Sequence, residues 1–193
     1  LGLENTAVVV NDKGFVNVDL QRCTDDPAIY CIGDLAGDPM LAHKASHEGL
    51  VAAETLHGEK VAFEPRAIPA VVFTDPEIAW AGITETEAKE QKLDVKIAKF
   101  PWAASGRATA VERNDGLTKI IVDAKTDLIL GIGLVGCGVG EMIGEAVLAI
   151  EMATLASDLK LSIHPHPTLS ETIMEAAELI YGSSTHIYKP KKK

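Results

Sequence analysis

Ile68–Glu90 reads IPAVVFTDPEIAWAGITETEAKE. Two short runs rich in β-branched and apolar residues, Ala70–Phe73 and Ile78–Ala81, flank the turn residues Thr74-Asp75-Pro76-Glu77. That pattern predicts two strands joined by a tight reversal. Thr84, followed three residues later by Glu87, is a capping box and predicts a helix from there. Beyond this stretch, Val95–Phe100, Thr118–Val122 and Leu128–Val135 read as further strands. The remainder is helical, about Glu141–Leu155 and then Ser170–Tyr181, with Ser170 as N-cap and Glu171 in the first turn. Strands separated by short turns, then closing helices, predict an α+β domain with an antiparallel sheet flanked by helices.

Upstream the grammar differs. Ala7–Val10 and Phe15–Val18 are β-rich runs around Asn11-Asp12-Lys13-Gly14, which has hairpin-turn chemistry. Ala28–Ile32 is a third apolar run, ending at Gly33-Asp34. Met40–Leu56 has helical spacing and a stop at Gly58. The polar stretch Gly58–Arg66 carries Pro65 and predicts a boundary, dividing the chain into residues 1–62 and 63–193.

The chain has 193 residues, 47% of them hydrophobic and 24% charged, with a net charge of −10. Those proportions fit a folded globular protein. The negative charge is dispersed, which argues against nucleic acid as a partner, since phosphate binding needs clustered Lys and Arg. The one basic cluster, Lys189-Pro190-Lys191-Lys192-Lys193, reads as a solvated, frayed end. Three cysteines (Cys23, Cys31, Cys137) match no zinc or CxxC spacing and read as reduced thiols. The apolar run Leu128–Gly140 is too short to span a bilayer. A cytoplasmic protein with no membrane partner is the expectation. The opening Leu-Gly-Leu-Glu reads like the middle of a longer polypeptide.

Gly131-Ile132-Gly133-Leu134-Val135-Gly136 spells GxGxxG after a strand and before a helix, the context of a dinucleotide site. No second parallel strand with a terminal acidic residue follows. The reading adopted is a glycine-rich strand end where two backbones approach closely.

Two segments carry candidate chemistry. Asp34 follows an apolar run, where its carboxylate could accept hydrogen bonds from sugar-like hydroxyls, or merely cap a turn. The helix beginning near Met40 offers backbone N–H groups and a positive dipole end suited to an electron-rich ring. In Ile163–Glu171, two prolines fix the backbone around His166, and Glu171 lies close enough to approach its imidazole. A histidine oriented by a carboxylate is a way to place a proton acceptor near neutral pH. A capped helix start with a surface histidine is the bland alternative. A metal pair from His164 and His166 lacks further ligands, so no metal is expected.

Taken together, IYCIGDLAGDPMLAHKASHEG (29–49), IPAVVFTDPEIAWAGITETEAKE (68–90), FPWAASGRA (100–108) and HPHPTLSE (164–171) resemble, in order, the end of the FAD domain and the dimerisation domain of dihydrolipoamide dehydrogenases. These belong to the flavin-dependent pyridine nucleotide-disulfide oxidoreductases. The resemblance implies a terminal piece of an α/β FAD-binding domain followed by a complete dimerisation domain. It implies that Gly33 and Asp34 contribute to FAD binding, Asp34 at the ribityl chain, and that Met40, Leu41, Ala42 and His43 line the flavin. His166 is implied as the acid–base that takes a proton from a dihydrolipoamide thiol, and Glu171 as the group that orients it. It implies NAD as co-substrate, a homodimer in which His166 reaches the other subunit's redox disulfide, and a lipoyl-bearing acyltransferase as partner. Pro165 stands where many relatives have Ala. The FAD phosphate-binding glycine loop, the redox Cys-x-x-x-x-Cys pair and the NAD domain are not in these 193 residues, so the chain alone is expected to be inactive and to hold no cofactor. Two other readings stand beside this one: a non-catalytic dimerisation module, and another disulfide reductase such as glutathione reductase.

Overall fold

The computed structural model describes residues 1–187; the lysine-rich tail read as frayed lies outside them. The described residues form two compact units, Leu1–Pro65 and Arg66 onward. The division falls at Pro65, within the polar stretch flagged in the sequence and just after residue 62.

In the first unit the three runs expected as strands do not form a sheet. Val10 and Val16 pair at a single bridge, as do Cys23 and Tyr30. Their remaining backbone bonds scatter: the Val16 N–H goes to Leu35, Asn17 to Val9 and Cys31 to Arg22. No pair of runs shares a continuous ladder. The reversal at Asn11 is as expected, because its Oδ1 accepts the N–H groups of Lys13 and Phe15 at 2.9 and 3.1 Å. Helix α1 spans Ala42–Leu56, with Leu41 at the N-cap and no side-chain cap. It stops at Gly58, whose φ of +96° glycine adopts without penalty. Its buried face is Lys44, Glu48 and Ala52, spaced four apart.

The second unit is a five-stranded antiparallel sheet with helices, as the residue pattern predicts. Its strands are β1 (Ala70–Val72), β2 (Glu77–Gly82), β3 (Val95–Pro101), β4 (Leu117–Asp123) and β5 (Ile129–Gly136), in the order β1-β2-β5-β4-β3. Helix α2 (Glu85–Glu90) starts at the Thr84–Glu87 capping box. A short α3 (Gly106–Ala110), not anticipated, is capped by Ser105, whose Oγ accepts the Ala108 N–H at 3.3 Å.

The closing helical region has three pieces rather than two. Helix α4 covers Val139–Glu151 and ends at Met152, and Ala153 takes a φ of +52°. Helix α5 (Ala156–Leu161) follows after that break. Helix α6 is Glu171–Ile180, and Ser170 makes no capping bond with its side chain. Its hydroxyl lies 3.0 Å from that of Thr168 instead.

Helices α4 and α6 lie on one face of the sheet. Ala79 and Ala81 point into the core beneath them, while Ile78 and Trp80, alternating along the same strand, are exposed. At the centre Trp102 is fully buried. Its indole N–H donates to Thr118 Oγ1 at 3.0 Å, and that oxygen lies 2.7 Å from Thr172 Oγ1 on α6. The GxGxxG run is strand β5, antiparallel to both neighbours. A Cβ on Gly131 would strike the Ile83 backbone, and one on Gly136 the Trp102 ring. Close backbone approach, as read from the sequence, accounts for Gly131; Gly136 makes room for a side chain, and a Cβ on Gly133 would meet nothing within 4 Å.

Candidate functional site

The expected cofactor residues all lie in the first unit. Gly33–Ala36 forms one 3₁₀ turn that carries Asp34 outward, exposed to solvent. Met40 is exposed, Leu41 half-buried, and Ala42 and His43 open the first turn of α1. An exposed carboxylate therefore lies six residues before Met40, at a helix start with outward-facing N–H groups. Hydroxyls and an electron-rich ring would each find matching chemistry there.

A buried charge cluster that sequence reading missed holds this turn. Glu48 is 0% exposed, and its Oε2 accepts the Gly33 N–H at 2.7 Å. Its Oε1 is 2.9 Å from Arg22 Nη1 and 3.1 Å from Lys44 Nζ. Lys44 donates in turn to the carbonyls of Gly33 and Gly37, at 3.3 and 2.9 Å. The Arg22 guanidinium also stands over the Phe63 ring, 5.0 Å from its centroid. The available signal was the four-residue spacing of Lys44 and Glu48 on an amphipathic helix. It gives an ion pair but not its burial. Beside the cluster, burial pushes the Cys31 thiol up, and the Glu48 charge adds to the shift. Cys31 is thus a buried structural thiol rather than a nucleophile.

The expected acid–base residues lie together in the second unit. His166 Nδ1 is 2.9 Å from Glu171 Oε1, and Glu171 Oε2 accepts the Thr168 N–H at 2.7 Å. A carboxylate only accepts, so Nδ1 carries the hydrogen and Nε2 is left as the acceptor nitrogen. The Glu171 side chain is 12% exposed and that of His166 62%: a sheltered anion orients an outward-facing imidazole. The His166–Pro167 peptide is cis, and Thr168 Oγ1 donates to the Pro165 carbonyl at 2.7 Å, closing the loop on itself.

His164 does not join His166. Its Nε2 is 2.8 Å from Glu145 on α4, and its Nδ1 is 2.9 Å from the Ser162 carbonyl. It ties the loop to the helix layer. His186, which sequence reading passed over, stacks on His166 with ring centroids 6.0 Å apart and an interplanar angle of 16°. Its Nδ1 is bonded to Glu175, one turn along α6 from Glu171.

Residues 68–177, more than half of the chain, match the family model for the pyridine nucleotide-disulphide oxidoreductase dimerisation domain. Over 96% of its length the chain is 52% identical to a dihydrolipoyl dehydrogenase of Haemophilus influenzae, covering 39% of that protein. It is 48% identical over its full length to the dihydrolipoyl dehydrogenase of Vibrio cholerae, covering 41% of it. The chain thus spans about two fifths of the length of the curated relatives it matches. Among solved structures, it is similar to the HOCl-induced flavoprotein disulfide reductase RclA of Escherichia coli. There the TM-score is 0.85 at 30% identity, over 93% of this chain and 42% of that one. LpdA of Mycobacterium tuberculosis gives a TM-score of 0.86 at 28% identity, over 92% and 39%. The antiparallel sheet with its helices, the matched residues and these likenesses agree: the chain belongs to the pyridine nucleotide-disulphide oxidoreductase family and carries its dimerisation domain.

Proposed function

We propose that the chain is the C-terminal region of a dihydrolipoyl dehydrogenase, and that it supplies the acid–base pair and the subunit interface of that enzyme. The observation that carries this reading is the His166–Glu171 pair, held at 2.9 Å on a chain about half identical to enzymes of that name. Glu171 holds the imidazole with Nε2 outward. There it takes the proton of a dihydrolipoyl thiol, because the thiolate is the attacking species in disulfide exchange. It returns that proton when the second sulfur needs a donor.

FAD and NAD belong to the whole enzyme in this reading. When bound, FAD would supply the electron relay between the disulfide couple and NAD. Towards it, Asp34 accepts hydrogen bonds from polyol hydroxyls at the tip of the Gly33–Ala36 turn. Met40–His43 would line the ring at the α1 N-terminus, whose positive end favours electron-rich groups. The chain works as a homodimer, a reading supported by the match of residues 68–177 to a dimerisation domain. The exposed Ile78, Trp80 and Ile97 on the sheet face away from α4 and α6 fit such an interface. The partner is a lipoyl-bearing acyltransferase. Alone, the 193 residues are inactive.

The test is His166→Ala in the full-length enzyme. Dihydrolipoamide oxidation should fall by about 10²–10⁴-fold, the usual contribution of a positioned acid–base group, while flavin absorbance is retained. Unchanged turnover would rule the role out. A second reading, a dimerisation module without chemistry, rests on the match of residues 68–177 to the dimerisation domain. An intact polypeptide that carries no flavin would favour it.

A further inference from the structure

Helix α6 carries two carboxylates on the same edge, and each is bonded to a histidine. Glu171 holds His166; Glu175, one turn later, holds His186. The pairs differ in depth. Glu175 is 1% exposed and accepts from both the Nδ1–H and the backbone N–H of His186, the latter at 3.2 Å. Its two oxygens are therefore committed to one residue. The rings lie nearly parallel, 6.0 Å apart. No step derived above uses His186 or Glu175.

We propose that His186, held by the buried Glu175, sets the proton affinity of His166 by presenting a positive charge to the face of its ring. The inference deepens the acid–base reading of His166 and rests on it. Its physics is that of two like charges that cannot both be present cheaply at this separation. Hydrogen bonding to Glu175 raises the proton affinity of His186 against the pull of burial, and the charges of Glu175, Glu171 and Glu178 add to it. His186, bonded twice to a buried carboxylate, is the ring placed to carry the charge, and the outward-facing His166 is the ring placed to exchange its proton. A base needs its acceptor nitrogen bare at working pH, and a neighbouring cation favours that state. Among the described residues, the groups facing His186 are Glu171, Glu175 and Glu178 from α6 and His166 from the preceding loop. The cavity beside His186 is lined further by Phe100, Ser105 and Gly106, which carry no charge. His186 is a positioning residue in this scheme, acting through His166 and not on substrate.

The test is a histidine titration by NMR on the full-length enzyme with isotope-labelled histidine, following the Cε1–H signal of His166 in the native protein and in His186→Gln and His186→Phe. Gln keeps a donor to Glu175; Phe keeps the stacked ring; neither carries charge. The His166 midpoint should rise in both, by about half to two pH units. That is the effect of a unit charge 6.0 Å away for effective dielectric constants between about 80 and 20. The rise is expected whether or not Glu175 remains ionised, since His186 is the group stacked on the ring. No shift, a downward shift, or a shift in one variant alone overturns the proposal. In particular, a native midpoint in the Phe variant would assign His186 to ring packing. The readout does not depend on turnover. Loss of the shift with His166→Ala still inactive sinks only the tuning. A clear shift with His166→Ala still active sinks only the acid–base reading.

Discussion

The carboxylate of Glu48, two turns into helix α1, accepts the backbone N–H of Gly33 at 2.7 Å. The residue that follows Gly33 is Asp34, so a fully buried anion fixes the turn presenting an exposed one. Arg22 and Lys44 balance its charge. Removing one member of a buried charged cluster costs far more than the cluster contributes, because the others are left uncompensated. Glu48→Ala should destabilise the unit Leu1–Pro65 by about 3–5 kcal/mol. Hydrogen exchange would read this as lost protection at the Gly33 amide and along α1, with the sheet of the second unit still protected. Protection unchanged at Gly33 would contradict the assignment.

His186 gives stability a pH dependence of definite sign. Its folded-state proton affinity is raised, chiefly by the hydrogen bond it donates to Glu175. A group raised on folding contributes fully below its unfolded pKa, about 6.5 for histidine, and the contribution fades as pH climbs through the folded value. The difference in Tm between the native protein and His186→Gln should therefore be larger at about pH 6 than at about pH 9. Thermal melts at the two pH values decide it; a difference that grows with pH would be the wrong sign.

The capping box at α2 supplies the opposite sign. Thr84 Oγ1 accepts the Glu87 N–H at 3.2 Å, and Glu87 Oε2 accepts the Thr84 N–H at 2.7 Å. That backbone bond, with the Thr84 hydroxyl, holds the Glu87 carboxyl below its ordinary value. Its contribution is present above about pH 4.3 and is lost as pH falls through the folded value. Thr84→Ala should cost about 1 kcal/mol near neutral pH and less at about pH 3. Urea midpoints of the two proteins at both pH values give the comparison.

The second unit was legible because each of its signals is local. Thr84 and Glu87 mark a helix start, and the turn at Thr74–Glu77 separates two apolar runs. The glycines of β5 were separable from a dinucleotide loop because no parallel strand follows. His166 and Glu171 are five residues apart, so their meeting could be foreseen. What escaped depends on residues distant in the chain. Arg22 reaches Glu48 across 26 positions and His186 reaches Glu175 across 11. Nothing in their own neighbourhoods distinguishes them from surface charges. Ala7–Val10, Phe15–Val18 and Ala28–Ile32 have strand composition and still form single bridges, because a strand needs a continuous partner that composition does not report. Ser170 has the right type for an N-cap, but its hydroxyl is turned to Thr168, whose N–H is held by Glu171.

Thr172 lies between Glu171 and Glu175 on α6, and its hydroxyl enters the chain that ends on the Trp102 indole. It indexes the helix as a key indexes a shaft. The contact in the core fixes the angle of α6 about its own axis, and with it the directions in which Glu171 and Glu175 leave the helix. A fraction of a turn would dislodge both carboxylates from their histidines together. The two imidazoles at the rim are thus aligned from the middle of the second unit, by a tryptophan and two threonines buried in its core.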